Sequence, residues 1–137
     1  MGLFHLSIVT PDKEFFSDDI SKLIVRTRSG DMAVLKDRAP IVSPLKIGRI
    51  VIYQGGIVRV AAVVDGYISV DNNYTTIITK AAEWADEIDF DRAVDAKDRA
   101  ESQLERDEGI DVVKAESALK RALNRIEVSQ HNHKKNL

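Results

Sequence analysis

Two hydrophobic periods divide the chain. From Leu3 to about Thr79 the apolar residues come in short, β-branched runs: LFHLSIV, SKLIVRT, MAVL, GRIVIY, IVRVAAVV, YISV and YTTIIT, separated by TPDK, SGD, QGG, DG and DNN. Short strands with a turn signal every several residues predict an antiparallel β-sandwich or barrel. Within KLIVRTR, Leu23, Val25 and Thr27 alternate with Ile24, Arg26 and Arg28, the pattern of a strand with one wet face. Gln54-Gly55-Gly56 and Asp65-Gly66 supply the positive φ that tight hairpins need.

After Lys80 the period changes. Glycine and proline stop except for Gly109, and alanine, glutamate and arginine recur at helical spacing. Ala93, Ala96, Ala100 and Leu104 form one stripe; Ala115, Ala118, Leu119, Ala122, Leu123 and Ile126 form another. The breaker RDEG between them makes the two helices antiparallel neighbours. The fold class expected is therefore α+β: an N-terminal antiparallel β-sandwich over 1–82, then a C-terminal antiparallel two-helix hairpin over 83–137, frayed from about 129. Alanine-rich stripes let helices approach closely but bury little area, so the hairpin is marginal on its own.

Charge follows the same boundaries. The net charge is −2, which offers no basic field for nucleic acid or an anionic membrane. Residues 83–106 hold 4 basic and 9 acidic groups whereas 111–137 hold 6 and 3, so the second helix suits an acidic partner surface. There is no cysteine, which removes disulfides, thiolate zinc sites and cysteine nucleophiles. The start MGLFHLSIVTPD has neither the charged region nor the long apolar run of a targeting segment, and the chain reads as a soluble cytosolic one. His131 and His133, an H-x-H pair without further ligands, read as a solvated tail and not a metal site.

One stretch carries candidate chemistry. In EIDFDRAVDAKDRA, Asp89 suits a helix N-cap, with Ile88 and Ala93 in the two positions of a hydrophobic staple. A near copy puts Ile110, Asp111 and Ala115 in the same slots. The cap does not explain Arg92, because a cation in a first turn opposes the helix dipole. Arg92 and Arg99 are seven apart on one helix; Arg121 and Arg125 are four apart on the other. An antiparallel hairpin sets Arg92 level with Arg125 and gathers the guanidiniums towards one end, where they either pair with neighbouring carboxylates on a solvated face or hold a polyphosphate. No G-x-x-x-x-G-K-[ST] loop accompanies them, so binding would not imply hydrolysis.

Taken in order, HLSIVTPDKEFFSDDISKLIVRTRSGDMAVL, APIVSPLKIG, VVDGYISVDNNYTTIIT and ALKRALNRI resemble the ε subunit of bacterial F-type ATP synthases over nearly the whole chain. The resemblance implies a non-catalytic subunit at the cytoplasmic face of the cell membrane, peripheral and not inserted. Its sandwich would join the γ subunit to the c-ring of the rotor. Its helical hairpin would be mobile and, when extended, would reach the α and β catalytic subunits and inhibit ATP hydrolysis. Asp31 matches the loop that faces the rotor ring in relatives, and Arg38 the segment that approaches γ. Ala33, Lys36 and Arg38 depart from the glycine, proline and histidine usual there. Ile88, Asp89, Arg92 and Ala93 match the ATP-binding signature of several bacilli, joined by Glu83, Arg99, Arg121 and Arg125. ATP, with Mg2+, would then be a regulatory ligand: Glu83 and Asp89 accept from adenine or ribose, Ile88 and Ala93 pack near the base, and the arginines hold phosphate. The competing reading is a free-standing ATP-sensing module with no rotor role.

Overall fold

The structure, a computed structural model, describes residues 2–106 and 112–135, with side chains through residue 131. Eight strands come first: β1 (Phe4–Val9), β2 (Glu14–Ile20), β3 (Lys22–Thr27), β4 (Gly30–Val34), β5 (Ile41–Leu45), β6 (Gly48–Gln54), β7 (Ile57–Asp71) and β8 (Tyr74–Trp84). A 3-10 turn (Ala85–Glu87) leads into α1 (Phe90–Arg106) and α2 (Val112–Lys135). The chain divides into two compact units between Trp84 and Ala85.

In the first unit the strands lie in the order β2-β1-β8-β7-β5-β3-β4, and β6 bridges β3 and β7. Among the described residues every pairing is antiparallel except β1 with β8. The sandwich forms because β7 serves two layers. Its first half pairs with β6 from Gln54↔Ile57 to Gly48↔Val63, and its second half with β5 from Leu45↔Gly66 to Ile41↔Val70. Leu6, Ile8, Ile20, Leu23, Val25, Ile50, Ile52, Ile68 and Ile77 are fully buried between the layers. The alternation of β3 is as expected, with Leu23, Val25 and Thr27 inward.

Asp65-Gly66 is not the hairpin the pattern suggested. Both residues have positive φ, at 44° and 138°, yet β7 runs straight through them from Ile57 to Asp71. They bend the strand where it passes from one layer to the other. The hydroxyl of Thr79 lies 2.8 Å from the Val64 carbonyl oxygen and 2.7 Å from that of Asp65, supplying a donor to carbonyls at the bend. The tight hairpins are elsewhere. Gly55 and Gly56 (φ 56° and 80°) join β6 to β7, and Asn72 and Asn73 (φ 55° and 62°) join β7 to β8, both with the mirror-image turn that matches strand twist.

β8 also runs on past Thr79, to Trp84, where the change of period suggested helix. Ala81 and Ala82 have little preference of their own, and pairing with Val64 and Val63 of β7 decides their state.

In the second unit α1 and α2 pack as an antiparallel hairpin on an alanine seam: Ala93 and Ala100 are buried on α1, Ala115 and Ala122 on α2. Leu123 is not part of it and is 47% exposed, because a residue one position after the seam lies about 100° around the helix. Val128 and Ser129 are buried instead. α2 continues to Lys135, and Ser129 donates its hydroxyl proton to the Ile126 carbonyl at 2.8 Å. Nothing in SQHNHKK breaks a helix. Of the RDEG breaker only Arg106, the last residue of α1, is described; residues 107–109 and the second cap at Ile110 and Asp111 lie outside the described residues.

Candidate functional site

The cap read from the sequence at Asp89 is present. The Asp89 carboxylate accepts from the Arg92 backbone N–H at 3.1 Å, and its own carbonyl accepts the first helical bond, from Ala93, at 3.1 Å. Ile88 and Ala93, the staple residues, are both buried. The signature therefore makes one compact turn: two buried apolar groups, a carboxylate oriented by the chain, and the exposed side chain of Arg92.

The other arginines extend this turn along one edge of the hairpin. Arg92, Arg99 and Arg121 each stand one residue before a buried seam alanine (Ala93, Ala100 and Ala122), hence at the same phase from the contact line. In an antiparallel pair, equal phase means the same edge, as with facing g positions of an antiparallel coiled coil. Arg125, three residues after Ala122, lies between Arg121 and the seam in phase. Arg92 and Arg99 are exposed; Arg121 and Arg125 are half-buried. Arg121 donates from Nη1 to the Ser117 hydroxyl at 2.8 Å, which orients its guanidinium. Lys97, by contrast, lies on the other side of Ala93 and Ala100 and reaches Glu101 at 3.7 Å. Glu83 belongs to the first unit, on β8 opposite Ala62.

Of the two residues matched to subunit contacts, Asp31 is half-exposed on β4 and faces Arg26 at 3.2 Å and Arg49 at 3.8 Å. Arg38 closes the turn after β4, its N–H donating to the Leu35 carbonyl at 3.2 Å. The neighbouring Asp37 (φ 66°) is held by a reciprocal pair with Asn73: its N–H donates to Asn73 Oδ1 at 2.6 Å, and Asn73 Nδ2 donates to its carboxylate at 3.1 Å. This latch fixes the segment despite the departures at Ala33, Lys36 and Arg38.

Two surface features were missed by reading along the chain. Register places Val9, Ile78, Tyr67 and Pro44 side by side across β1, β8, β7 and β5 on the outer face of the sheet. Ile78 and Tyr67 are each 60% exposed, and Val42, on the same face of β5 as Pro44, is 72% exposed. An apolar row of this extent on a wet face is the mark of a docking surface. The signal was present as apolar residues at polar-phase positions, but only the pairing shows that they adjoin. Beside it, the His5 ring bridges Asp19 (Nδ1 to Oδ1, 3.1 Å) and Ser17 (Nε2 to Oγ, 3.1 Å) and stacks on Tyr74 at 4.8 Å. The trio stands on the open face of edge strand β2 and cross-links it to β1. Among the described residues no cluster of histidine and carboxylate groups could hold a metal ion. Nor is any described helix long and apolar enough to cross a membrane.

Comparison with known proteins accounts for both units. Residues 3–85 match the family model of the ATP synthase delta/epsilon chain β-sandwich domain, and residues 86–130 that of the delta/epsilon chain long α-helix domain. The ATP synthase epsilon chain of Alkaliphilus metalliredigens is 45% identical over 129 residues, covering 93% of this chain and 96% of its own. That of Bacillus pumilus is 41% identical over 129 residues, covering 94% and 98%. Among solved structures, a chain of the Euglena gracilis mitochondrial ATP synthase assembly of OSCP, F1 and c-ring shares the fold with TM-score 0.84 at 22% identity, covering 96% of this chain and 83% of its own. A chain from the central stalk and c-ring of the Tetrahymena thermophila mitochondrial enzyme does so with TM-score 0.61 at 13% identity, covering 93% and 94%. With sandwich and helical hairpin both matched in order, this chain belongs to the ATP synthase delta/epsilon chain family.

Proposed function

We propose that the chain is the non-catalytic central-stalk subunit of a rotary ATP synthase, peripheral at the cytoplasmic face of the membrane. Its sandwich couples γ to the c-ring, and its hairpin is a two-state inhibitor of hydrolysis that binds ATP with Mg2+. The observation that carries the stalk role is the apolar row Val9, Ile78, Tyr67 and Pro44, which needs a protein partner and suits a large, permanent contact. Relatives named as subunits of an ATP synthase, and folds seen in stalk and c-ring assemblies, support γ and the ring as the neighbours. Asp31 and Arg38, on β4 and the turn after it, are the residues we assign to the ring and γ sides.

The nucleotide reading rests on the arginine edge. Four guanidiniums from two helices, one oriented by Ser117, along the edge that begins at the Asp89 turn, offer phosphate-binding forks; Ile88 and Ala93, both buried, shape that turn and do not present a surface for the base. A ligand that prefers the folded hairpin holds the inhibitor in its folded state, by no more than its differential affinity for the two states. Calorimetry of the full chain with Mg·ATP tests the site. Co-purification with γ and the c-ring tests the stalk role, and its failure would leave only a nucleotide-binding module.

A further inference from the structure

The end of β8 is held differently from the rest of the sandwich. Tyr74 to Ile78 are paired on both sides, by β1 and β7. From Ala81 to Trp84 β7 alone pairs the strand, through Val64↔Ala81 to Ala61↔Trp84, and no side chain from Lys80 to Trp84 is fully buried. A one-sided ladder, with only Ala82 and Trp84 packed against the core and both of them half-buried, is the kind of segment that opens locally.

Beside a Lys80–Asp65 ion pair at 3.7 Å, Trp84 is its aromatic anchor. Phe15 of β2 stacks on the indole, with ring centroids 4.4 Å apart and planes inclined by 23°, and Phe16 meets it edge-on at 6.0 Å. Arg59 of β7 sets its guanidinium carbon 3.6 Å from the same ring centroid. Two groups so near one centroid cannot share a face, so the indole is held between Phe15 and Arg59. Arg59 is exposed and, among the described residues, has no carboxylate partner. Its charge is directed at the ring, and an exposed cation–π contact is weaker than the bidentate pair an arginine makes with a carboxylate.

We propose that the Phe15, Trp84 and Arg59 stack is a releasable latch on the end of β8, with Arg59 as its release point for an acidic side chain of a docking protein. With the latch closed, the connection to α1 starts at Ala85. When a carboxylate takes the guanidinium, one face of Trp84 is uncovered and residues 80–84 open from β7 about two- to fivefold more often. In each opening the connection gains these residues, about 16 Å of reach at roughly 3.3 Å each. The inference stands on the first unit alone and does not depend on nucleotide binding or on any rotor contact.

Amide hydrogen exchange and Trp84 fluorescence of the full chain test it, Trp84 being the one tryptophan in the sequence. Arg59→Ala should speed exchange of 80–84 by about two- to fivefold, leave Leu23 and Ile52 in the core unchanged, and move Trp84 emission to longer wavelength. Arg59→Lys, which keeps a cation over the ring, should restore most of the protection. Poly-L-glutamate should shift wild-type emission as Arg59→Ala does, beyond sodium chloride of equal ionic strength, and should leave Arg59→Ala unmoved. Equal exchange in wild type and Arg59→Ala, or acceleration spread evenly over the sandwich, would overturn the latch. Wild-type emission indifferent to poly-L-glutamate would overturn release by a carboxylate.

Discussion

Gly66 of β7 faces the carbonyl oxygen of Ile78 in β8 so closely that a Cβ on the glycine would overlap it. The same residue has φ 138°, a conformation that L side chains rarely adopt. Backbone strain and a collision with backbone act together here. Gly66→Ala should therefore destabilise the sandwich by about 3–5 kcal/mol. Gly55→Ala, at φ 56° with open space around it, should lose only about 1 kcal/mol. Urea denaturation of both variants checks the contrast, and equal losses would mean that the bend tolerates a side chain.

A chain cut after Ala85 should fold. The buried core cluster ends at Ile77, and Trp84 with its Phe15 and Arg59 partners is retained. A cut after Thr79, where the strand pattern ends in the sequence, removes the Ala61↔Trp84 end of the ladder and should be less stable. Circular dichroism and melting of the two fragments give the order; in the assembled enzyme both should release inhibition of hydrolysis.

Asp89 and Arg92 separate helix capping from nucleotide binding. Asp89→Ala should weaken the hairpin by about 1 kcal/mol, because its carboxylate holds the Arg92 amide. Arg92→Ala should leave stability unchanged or slightly raised, since it removes a cation from the positive end of the helix dipole. Yet Arg92→Ala should lower ATP affinity roughly tenfold to a hundredfold, the loss of one charge-assisted phosphate contact, while Lys114→Ala, at the position of the near copy that corresponds to Arg92, should not. Calorimetry showing one affinity for wild type, Arg92→Ala and Lys114→Ala would reduce the signature to a cap and staple.

Ile78→Asp places a carboxylate in the centre of the apolar row without touching the core, since the side chain is outward and exposed. It should change stability by less than about 1 kcal/mol and weaken capture by γ more than tenfold, as expected for a charge buried unpaired in an interface. An unchanged pull-down would move the docking surface elsewhere on the sandwich.

What could be read along the chain was whatever is decided within a few residues. Asp89 caps α1 because donor and acceptor are three positions apart, and the alternation of Leu23, Val25 and Thr27 is the pleat itself. Asp65-Gly66 could not be read in that way. The same dipeptide suits a hairpin or a bend, and pairing with β8 and β5 selects the bend. Phe15, Arg59 and Trp84 meet only through the register of three strands. Leu123 looked like a core residue from its type, but the seam runs through alanines one position away. The arginine edge was half legible: the spacings were visible, whereas the common phase from buried alanines required knowing which alanines are buried.

The parallel pairing of β1 with β8 has a kinetic consequence. His5↔Tyr74 and Val9↔Ile78 join residues about seventy positions apart, so the first strand to be synthesised cannot find its inner neighbour until the last one exists. Closing so long a loop is slow compared with forming a hairpin. The β1–β2 ribbon must wait with one flank open while β3 to β7 are made. On the ribosome the sandwich therefore completes in one late step, when the chain is nearly long enough to begin α1.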